Sequence, residues 1–200
     1  MQVDQTGEFN YTLTPNNLSL IGRGVWKSIV ISSRDSVGNT SISKPFSFEV
    51  QAQWKTGSAI MDTLSFASGV DSLTGLGASD LFVVSNLSAA LIGGTQTPIF
   101  DRIIDFQIGF DKIDAPSSIS PGSVSDHGNI QTLSTLHISK LLDQRKFTSN
   151  SAALFHYQDA ANAKRTFLAL NDNVPGFDFR RDSVIEISGY AGNLSALGIV

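Results

Sequence analysis

The sequence predicts a mostly all-β protein with one helix, and three observations carry that prediction. Short apolar–polar alternations recur along the chain between clusters of Gly, Pro, Asn and Asp. Gly, Ser, Thr and Asn are abundant while Lys and Glu are scarce, a balance that suits strands and turns. Only Thr132–Asp143 (TLSTLHISKLLD) sets apolar residues, Leu133, Leu136, Leu141 and Leu142, at roughly helical spacing.

A chain of 200 residues can build one or two domains with their own cores. The net charge is −4 and the pI about 5.2, and Arg145-Lys146 and Arg180-Arg181 are isolated basic pairs. With no basic stripe, neither a nucleic acid nor an anionic membrane is an expected partner. The chain has no cysteine, which excludes disulfides and thiolate metal sites. No apolar run approaches the roughly 18 residues of a membrane span. The opening MQVDQTGEF lacks a basic region followed by an apolar stretch, so no N-terminal signal peptide is expected.

Residues 1–53 give three strand candidates, Glu8–Thr14, Trp26–Ser33 and Phe46–Gln51, with turn signals at Pro15-Asn16-Asn17, Gly22-Arg23-Gly24 and Asp35–Asn39. Short strands at this spacing predict a β-sandwich. Gly7, Phe9, Tyr11, Leu13, Gly24, Ile29, Ile31, Asp35, Gly38, Asn39 and Ser41 resemble a bacterial Ig-like repeat of adhesins and large surface proteins. The match is partial, so it implies a partial Ig-like β-sandwich in a piece of a longer protein. In that family the place of Asp35 can hold a bridging calcium; an Asx turn closed on its own backbone is the alternative.

Residues 54–60 (WKTGSAI) are expected to link this part to a second domain over 61–200. Asp62-Thr63-Leu64 and Asp71-Ser72-Leu73 then repeat nine positions apart. Between Asp71 and Asp114, carboxylates at Asp71, Asp80, Asp101, Asp105, Asp111 and Asp114 each stand beside apolar residues in strand-like alternation. Glycines 69, 75, 77 and 109 are expected to supply the φ > 0 turns. A turn glycine, an aspartate and an inward apolar residue is the pattern by which a parallel β-roll binds Ca²⁺, the turn offering carboxylate and carbonyl oxygens. The alternative is an ordinary β domain whose turn aspartates are simply solvated.

The segment resembles the degenerate end of an RTX-type β-roll, whose nonapeptide is G-G-x-G-x-D-x-U-x. Aligned on Leu73-Thr74-Gly75, Leu76 and Ala78 replace the second and third glycines, while Asp80 and Phe82 keep their places. Asp101-x-Ile103-x-Asp105-Phe106 and Gly109-Phe110-Asp111-Lys112-Ile113-Asp114 are similar to the C-terminal domains of serralysin-type and other type I-secreted proteins. The resemblance implies calcium as cofactor and the type I secretion machinery as partner.

Beyond Asp114, Pro116–Gly128 reads as a loop, and strands are expected at Ala152–Tyr157, Arg165–Leu170 and Ser183–Ser188. His137 is expected at the edge of the core. In the loop 171–182, Asp172, Asn173, Asp178 and Asp182 could enclose a hard cation, or form a plain Asx-rich turn. Thr166–Asp172, Gly176-Phe177, Asp182, Ile185-Glu186-Ile187, Gly189-Tyr190 and Gly192-Asn193-Leu194 closely resemble the bluetail domain of surface proteins. That resemblance implies an exported protein, anchored or sorted through this region, and no enzymatic activity.

Catalytic patterns are scarce. The sequence has no H-E-x-x-H, no G-x-S-x-G and no P-loop, and His127, His137 and His156 have no ligand spacing. Asp101 and Asp105 would stand about 13 Å apart on one strand, too far for a simple acid/base pair. The expected function is therefore a non-catalytic, calcium-binding module of a secreted or cell-surface protein, serving export, sorting and display. Two alternatives remain. One is an adhesin-type domain binding a carbohydrate or protein, which exposed Trp26, Trp54 or Tyr190 would favour. The other is a small hydrolase, which would need a pocket holding His156 or His137 beside a carboxylate.

Overall fold

The computed structural model describes residues 2–3, 9–10, 25–29, 32–34, 37–42, 46–50, 53–67, 70–85, 87, 91–92, 98–116, 119 and 124–200. The protein is mostly β, as its alternations predict. In the first part, β1 (Gln2–Val3), β2 (Phe9–Asn10), β3 (Val25–Ile29), β4 (Ser32–Arg34), β5 (Thr40–Ile42) and β6 (Phe46–Val50) form three antiparallel pairs, β1–β2, β3–β6 and β4–β5. The rest of the expected strand 8–14, Asp35 and the side chain of Trp26 lie outside the described residues.

From residue 53 the chain winds as a two-sheet roll. Its elements are β7 (Gln53–Thr56), β8 (Thr63–Ser65), β9 (Asp71–Thr74), β10 (Leu81–Val83), β11 (Leu91–Ile92), β12 (Ile99–Ile103), β13 (Lys112–Asp114), β14 (Val124–Ile130), α1 (Thr135–Leu141), β15 (Ala152–Gln158), β16 (Lys164–Leu170), β17 (Ser183–Glu186) and β18 (Gly198–Ile199). One sheet runs β14-β15-β16-β17-β12-β9-β7, with β11 antiparallel to β12; the other runs β18-β13-β10-β8. Strands β7, β9, β12 and β17 are parallel in the first sheet, and β8, β10, β13 and β18 are parallel in the second. Each coil thus gives one strand to each sheet. The registers Gln53↔Asp71 and Thr63↔Leu81 set a coil of 18 residues, so the nine-residue offset seen in the sequence is half a coil.

The 54–60 stretch is not a bare linker. Trp54–Thr56 belong to β7 and pair with β9, and the Lys55 ammonium donates to the Ser65 carbonyl at 2.5 Å. An edge strand tolerates such polar residues because water covers one side of it. The expected loop over 116–128 also differs. From Val124 it is β14, parallel to β15, with a register shift between Asp126 and Asn129 where Gly128 takes φ +81°. Polar residues in an edge strand give no clean alternation, so the sequence pattern hides it.

Inside the roll, Leu64, Phe82, Ile113 and Ile199 stand in register across the second sheet. They pack with Leu73, Ile103, Leu154, Leu168, Leu170 and Ile185 of the facing sheet and with Phe106, whose ring lies 5.8 Å from that of Phe82. The first sheet's other face carries a second cluster. Phe155 stacks on Phe167 at 5.0 Å, Phe100 tilts onto Phe167 at 4.9 Å, and Ile138 and Leu142 of the α1 segment cover them. Helix α1 lies inside the expected 132–143, with Ser134 as its N-cap accepting from the His137 N–H. Near-continuous apolar runs in β15 and β16 follow from burial on both faces.

At the corner between β9 and β10, the expected φ > 0 falls elsewhere than on Gly75 and Gly77. Leu76 has φ +77° and Ala78 has φ +74°, the two positions the nonapeptide reserves for glycine, and Gly109 has φ +94° in the corresponding corner of the next coil. The stacked turn dictates the backbone, and both side chains are tolerated because they are exposed. Gly75 serves close approach instead: a Cβ there would run into the Asp80 carboxylate.

Candidate functional site

The aspartates that the sequence singles out stand at the roll's corners, and backbone amides surround them. Asp62, Asp80 and Asp111 each immediately precede a strand of the second sheet, β8, β10 and β13. In three places an aspartate's Oδ1 accepts the backbone N–H of the aspartate one coil earlier. Asp80 takes Asp62 N–H at 2.9 Å, Asp111 takes Asp80 N–H at 2.9 Å, and Asp101 takes Asp71 N–H at 2.7 Å. A second regularity runs within the turns, where an Oδ2 accepts the N–H four residues back. Ser58 donates to Asp62 at 2.5 Å, Ala67 to Asp71 at 2.5 Å, Gln107 to Asp111 at 2.7 Å and Asp178 to Asp182 at 2.7 Å.

Asp105 reaches across coils in the same way, its two oxygens accepting from Gly75 and Leu76, both at 2.8 Å. The chain at Leu76 is left-handed, and this carboxylate holds its N–H in place. Asp71, Asp80, Asp101, Asp111 and Asp182 are buried, and Asp105 is half-buried. Hydrogen bonds to a charged acceptor contribute about 1.5–3 kcal/mol each, which offsets part of the desolvation of these buried carboxylates. Asp114 lies on β13, half-buried, and its carbonyl accepts from Val84 N–H at 2.8 Å.

Electrostatics at the corner oppose full ionisation. Burial raises the pKa of Asp80, the Asp62 amide pulls it down, and the carboxylates of Asp111, Asp62 and Asp105 push it up again. A cation would relieve that repulsion. Yet calcium takes about six to eight oxygens converging on one point. Both oxygens of Asp105, of Asp111 and of Asp182 already face N–H donors. Among the described residues, no three acidic or histidine side chains come close enough to hold a metal ion. As arranged, Asp105, Asp111 and Asp182 act as backbone clamps, and an oxygen cage would require their carboxylates to release these amides.

The 171–182 loop follows the same logic. Asp182 accepts from Asp172 N–H at 3.0 Å as well as from Asp178. Burial pushes its carboxyl up to about 6; the two amides work against that, and the Asp172 and Asp178 carboxylates add to it. The cation of this loop is the Arg181 guanidinium. Its Nε lies 2.6 Å from Asp172 Oδ2 and its Nη2 3.2 Å from Asn173 Oδ1. Asp172 also accepts from Val174 N–H at 2.7 Å.

Sequence reasoning missed three groups. Asp62, singled out in the sequence only as part of the nine-residue repeat and not as a site residue, is the outermost described member of the ladder, and its place 18 residues before Asp80 is the signal that could have assigned it there. On β17, Glu186 is buried and held by Arg165, with Nε to Oε1 at 3.0 Å and Nη2 to Oε2 at 2.6 Å, by Ser188 Oγ at 2.7 Å and by Arg102 at 3.5 Å. Burial alone would raise its pKa, but the Arg165 guanidinium and Ser188 hydroxyl hold it below the usual carboxylate range. Third, Asp126 Oδ2, His156 and Thr166 Oγ1 form a line across β14, β15 and β16, at 3.1 Å to Nε2 and 3.0 Å from Nδ1. Burial works against ionised Asp126, while the Gly128 amide and His156 keep its pKa low.

That line has the order of a carboxylate–imidazole–hydroxyl relay, but Thr166 is 2% exposed and cannot meet a substrate. His137 is half-buried, and its Nδ1 lies 2.7 Å from the Ser134 hydroxyl at the start of α1, at the edge of the core as expected. A groove of about 690 Å³ opens between α1 and residues 174–179, lined by Leu136, Leu142, Val174, Phe177, Asp143 and Asp178 among others, and no histidine. Among the described residues, no helix is long and apolar enough to cross a membrane, which says nothing about a β-barrel.

Fold and site define a parallel two-sheet β-roll with carboxylate-clamped corners, extended by a lobe of β14, β15 and β16 in which β15 and β16 are antiparallel and β14 joins β15 in parallel. No protein family and no curated protein matches this chain.

Proposed function

We propose that this chain is a non-catalytic module of a secreted or cell-surface protein, serving export, sorting and display. The observation that carries the reading is what its polar side chains do. The buried groups that chemistry would use, Glu186, His156, Thr166 and the corner aspartates, are bonded to neighbouring side chains or to backbone amides. A stacked roll closed by its own hydrogen bonds suits a durable extracellular scaffold that lacks disulfides. Export through type I secretion machinery belongs to this reading by the sequence resemblance.

One observation favours a second reading, adhesion. Trp54 on the roll's edge strand is 77% exposed, and Ile60 and Met61 of the adjoining turn are 72% and 74% exposed. Exposed aromatic and apolar side chains of this kind suit a carbohydrate or protein contact.

Antibody labelling of intact and lysed producer cells tests the first reading. It expects signal on intact cells and in the medium, abolished when the type I exporter is disabled. Signal confined to lysed cells overturns it. Glycan-array binding lost in Trp54→Ala would move the weight to adhesion.

A further inference from the structure

We propose that the aspartate ladder of this roll does the work of a divalent ion, so that the roll folds to the same structure with or without calcium. The inference goes beyond the proposed function and holds wherever the protein is displayed. Its ground is the regular use of the carboxylates. Oδ1 of Asp80, Asp111 and Asp101 each accepts the N–H of the aspartate one coil earlier. Oδ2 of Asp62, Asp71 and Asp111 each accepts the N–H four residues back. Asp111 does both, tying its own turn and joining it to the neighbouring coil, and the other aspartates divide these two tasks, the ones a bridging cation would perform between stacked turns.

The corner is shaped around the clamp. Asp105 spans from its own coil to Gly75 and Leu76, and its two oxygens occupy N–H groups of a turn whose left-handed residues are Leu76 and Ala78, not glycine. Gly75 leaves the space that brings the Asp80 carboxylate against the turn. Gly57 does the same for Asp62 in the coil before, where a Cβ would stand 2.7 Å from Asp62 Oδ2. For a cation to draw the ladder oxygens into a shared shell, the carboxylates would have to let go of the amides, and Asp111 would leave the buried Asp80 N–H without its acceptor.

The test uses the full chain. Far-UV circular dichroism and thermal melts are recorded in excess EDTA and in millimolar calcium chloride, for wild type, Asp111→Asn and Asp62→Asn. Asparagine keeps the shape but turns an NH₂ group toward one of the donors. The proposal expects superimposable wild-type spectra and melting temperatures agreeing within about a degree, because a ligand that binds the native state would raise Tm. It expects Asp111→Asn to lower Tm by about 3–8 °C, equally in both buffers. Should Asp111→Asn not fold in either buffer, Asp62→Asn, whose carboxylate charge is removed from the Ser58 N–H and Ser58 hydroxyl it accepts from, carries the comparison with a smaller but equal loss. A wild-type Tm that climbs by many degrees on adding calcium overturns the proposal. So does a variant loss seen only in calcium, or variants as stable as wild type in both buffers.

Discussion

At Leu76 and Ala78 two L-residues hold left-handed backbone in a corner where the repeat pattern has glycine. Left-handed backbone costs an L-residue roughly 1–2 kcal/mol, while glycine's extra freedom in the unfolded chain costs about 0.5–1 kcal/mol. Strain wins, so Ala78→Gly should stabilise the protein by about 0.5–1 kcal/mol. Urea titration checks this as a raised midpoint with an unchanged slope. A lowered midpoint would mean that the Ala78 methyl makes a contact outweighing the strain. The sequence located these two residues as departures from the glycine pattern. It did not show that the backbone keeps the glycine conformation, because that is imposed by Asp105 from the next coil, whose carboxylate fixes the Leu76 N–H.

Among the elements, the 171–182 loop is set by Asp182, whose carboxyl is buried and pushed up to about 6, above the ordinary 3.8. A carboxyl whose folded pKa is raised contributes stability that is present in full below 3.8 and lost as pH rises through about 6. The loss is on the order of 3 kcal/mol between about pH 4 and pH 7. Asp182→Asn cannot ionise, so its stability deficit relative to wild type should shrink by that order over this range. Denaturant melts at the two pH values measure it, and a deficit that stays constant would show that Asp182 does not titrate there. The acid-rich loop was legible in the sequence as a group of oxygens. Its cation was not: Arg181 follows the apolar pair Phe177 and Phe179 closely enough to look like surface charge, and only the fold turns its guanidinium onto Asp172 and Asn173. Strand β14 was hidden for a related reason, since its polar residues earn their place by pairing with β15 rather than by alternation.

For the molecule as a whole, β17 is the joint. It pairs parallel with β12 of the roll and antiparallel with β16 of the lobe, and its two faces feed both hydrophobic clusters through Ile185 and Val184. Roll and lobe cannot separate without opening that strand, so they should unfold together. Hydrogen exchange should give the amides of β9, β12, β15, β16 and β17 one shared opening free energy, with edge strands β7 and β14 exchanging faster. Two distinct sets of protected amides, one for the roll and one for the lobe, would refute the joint.

Periodicity alone determined that this chain is mostly β, that one helix lies within 132–143, and that aspartates and apolar residues recur at half-coil spacing, because burial writes itself into residue order over a few positions. Only the tertiary structure decided what the aspartates touch. A carboxylate that receives a backbone amide and one that receives a metal ion look identical in sequence, and the choice rests on which donors the neighbouring coil brings within 3 Å. Asp80 and Asp111, 31 positions apart across an insertion that no local pattern announces, meet through one N–H bond of 2.9 Å.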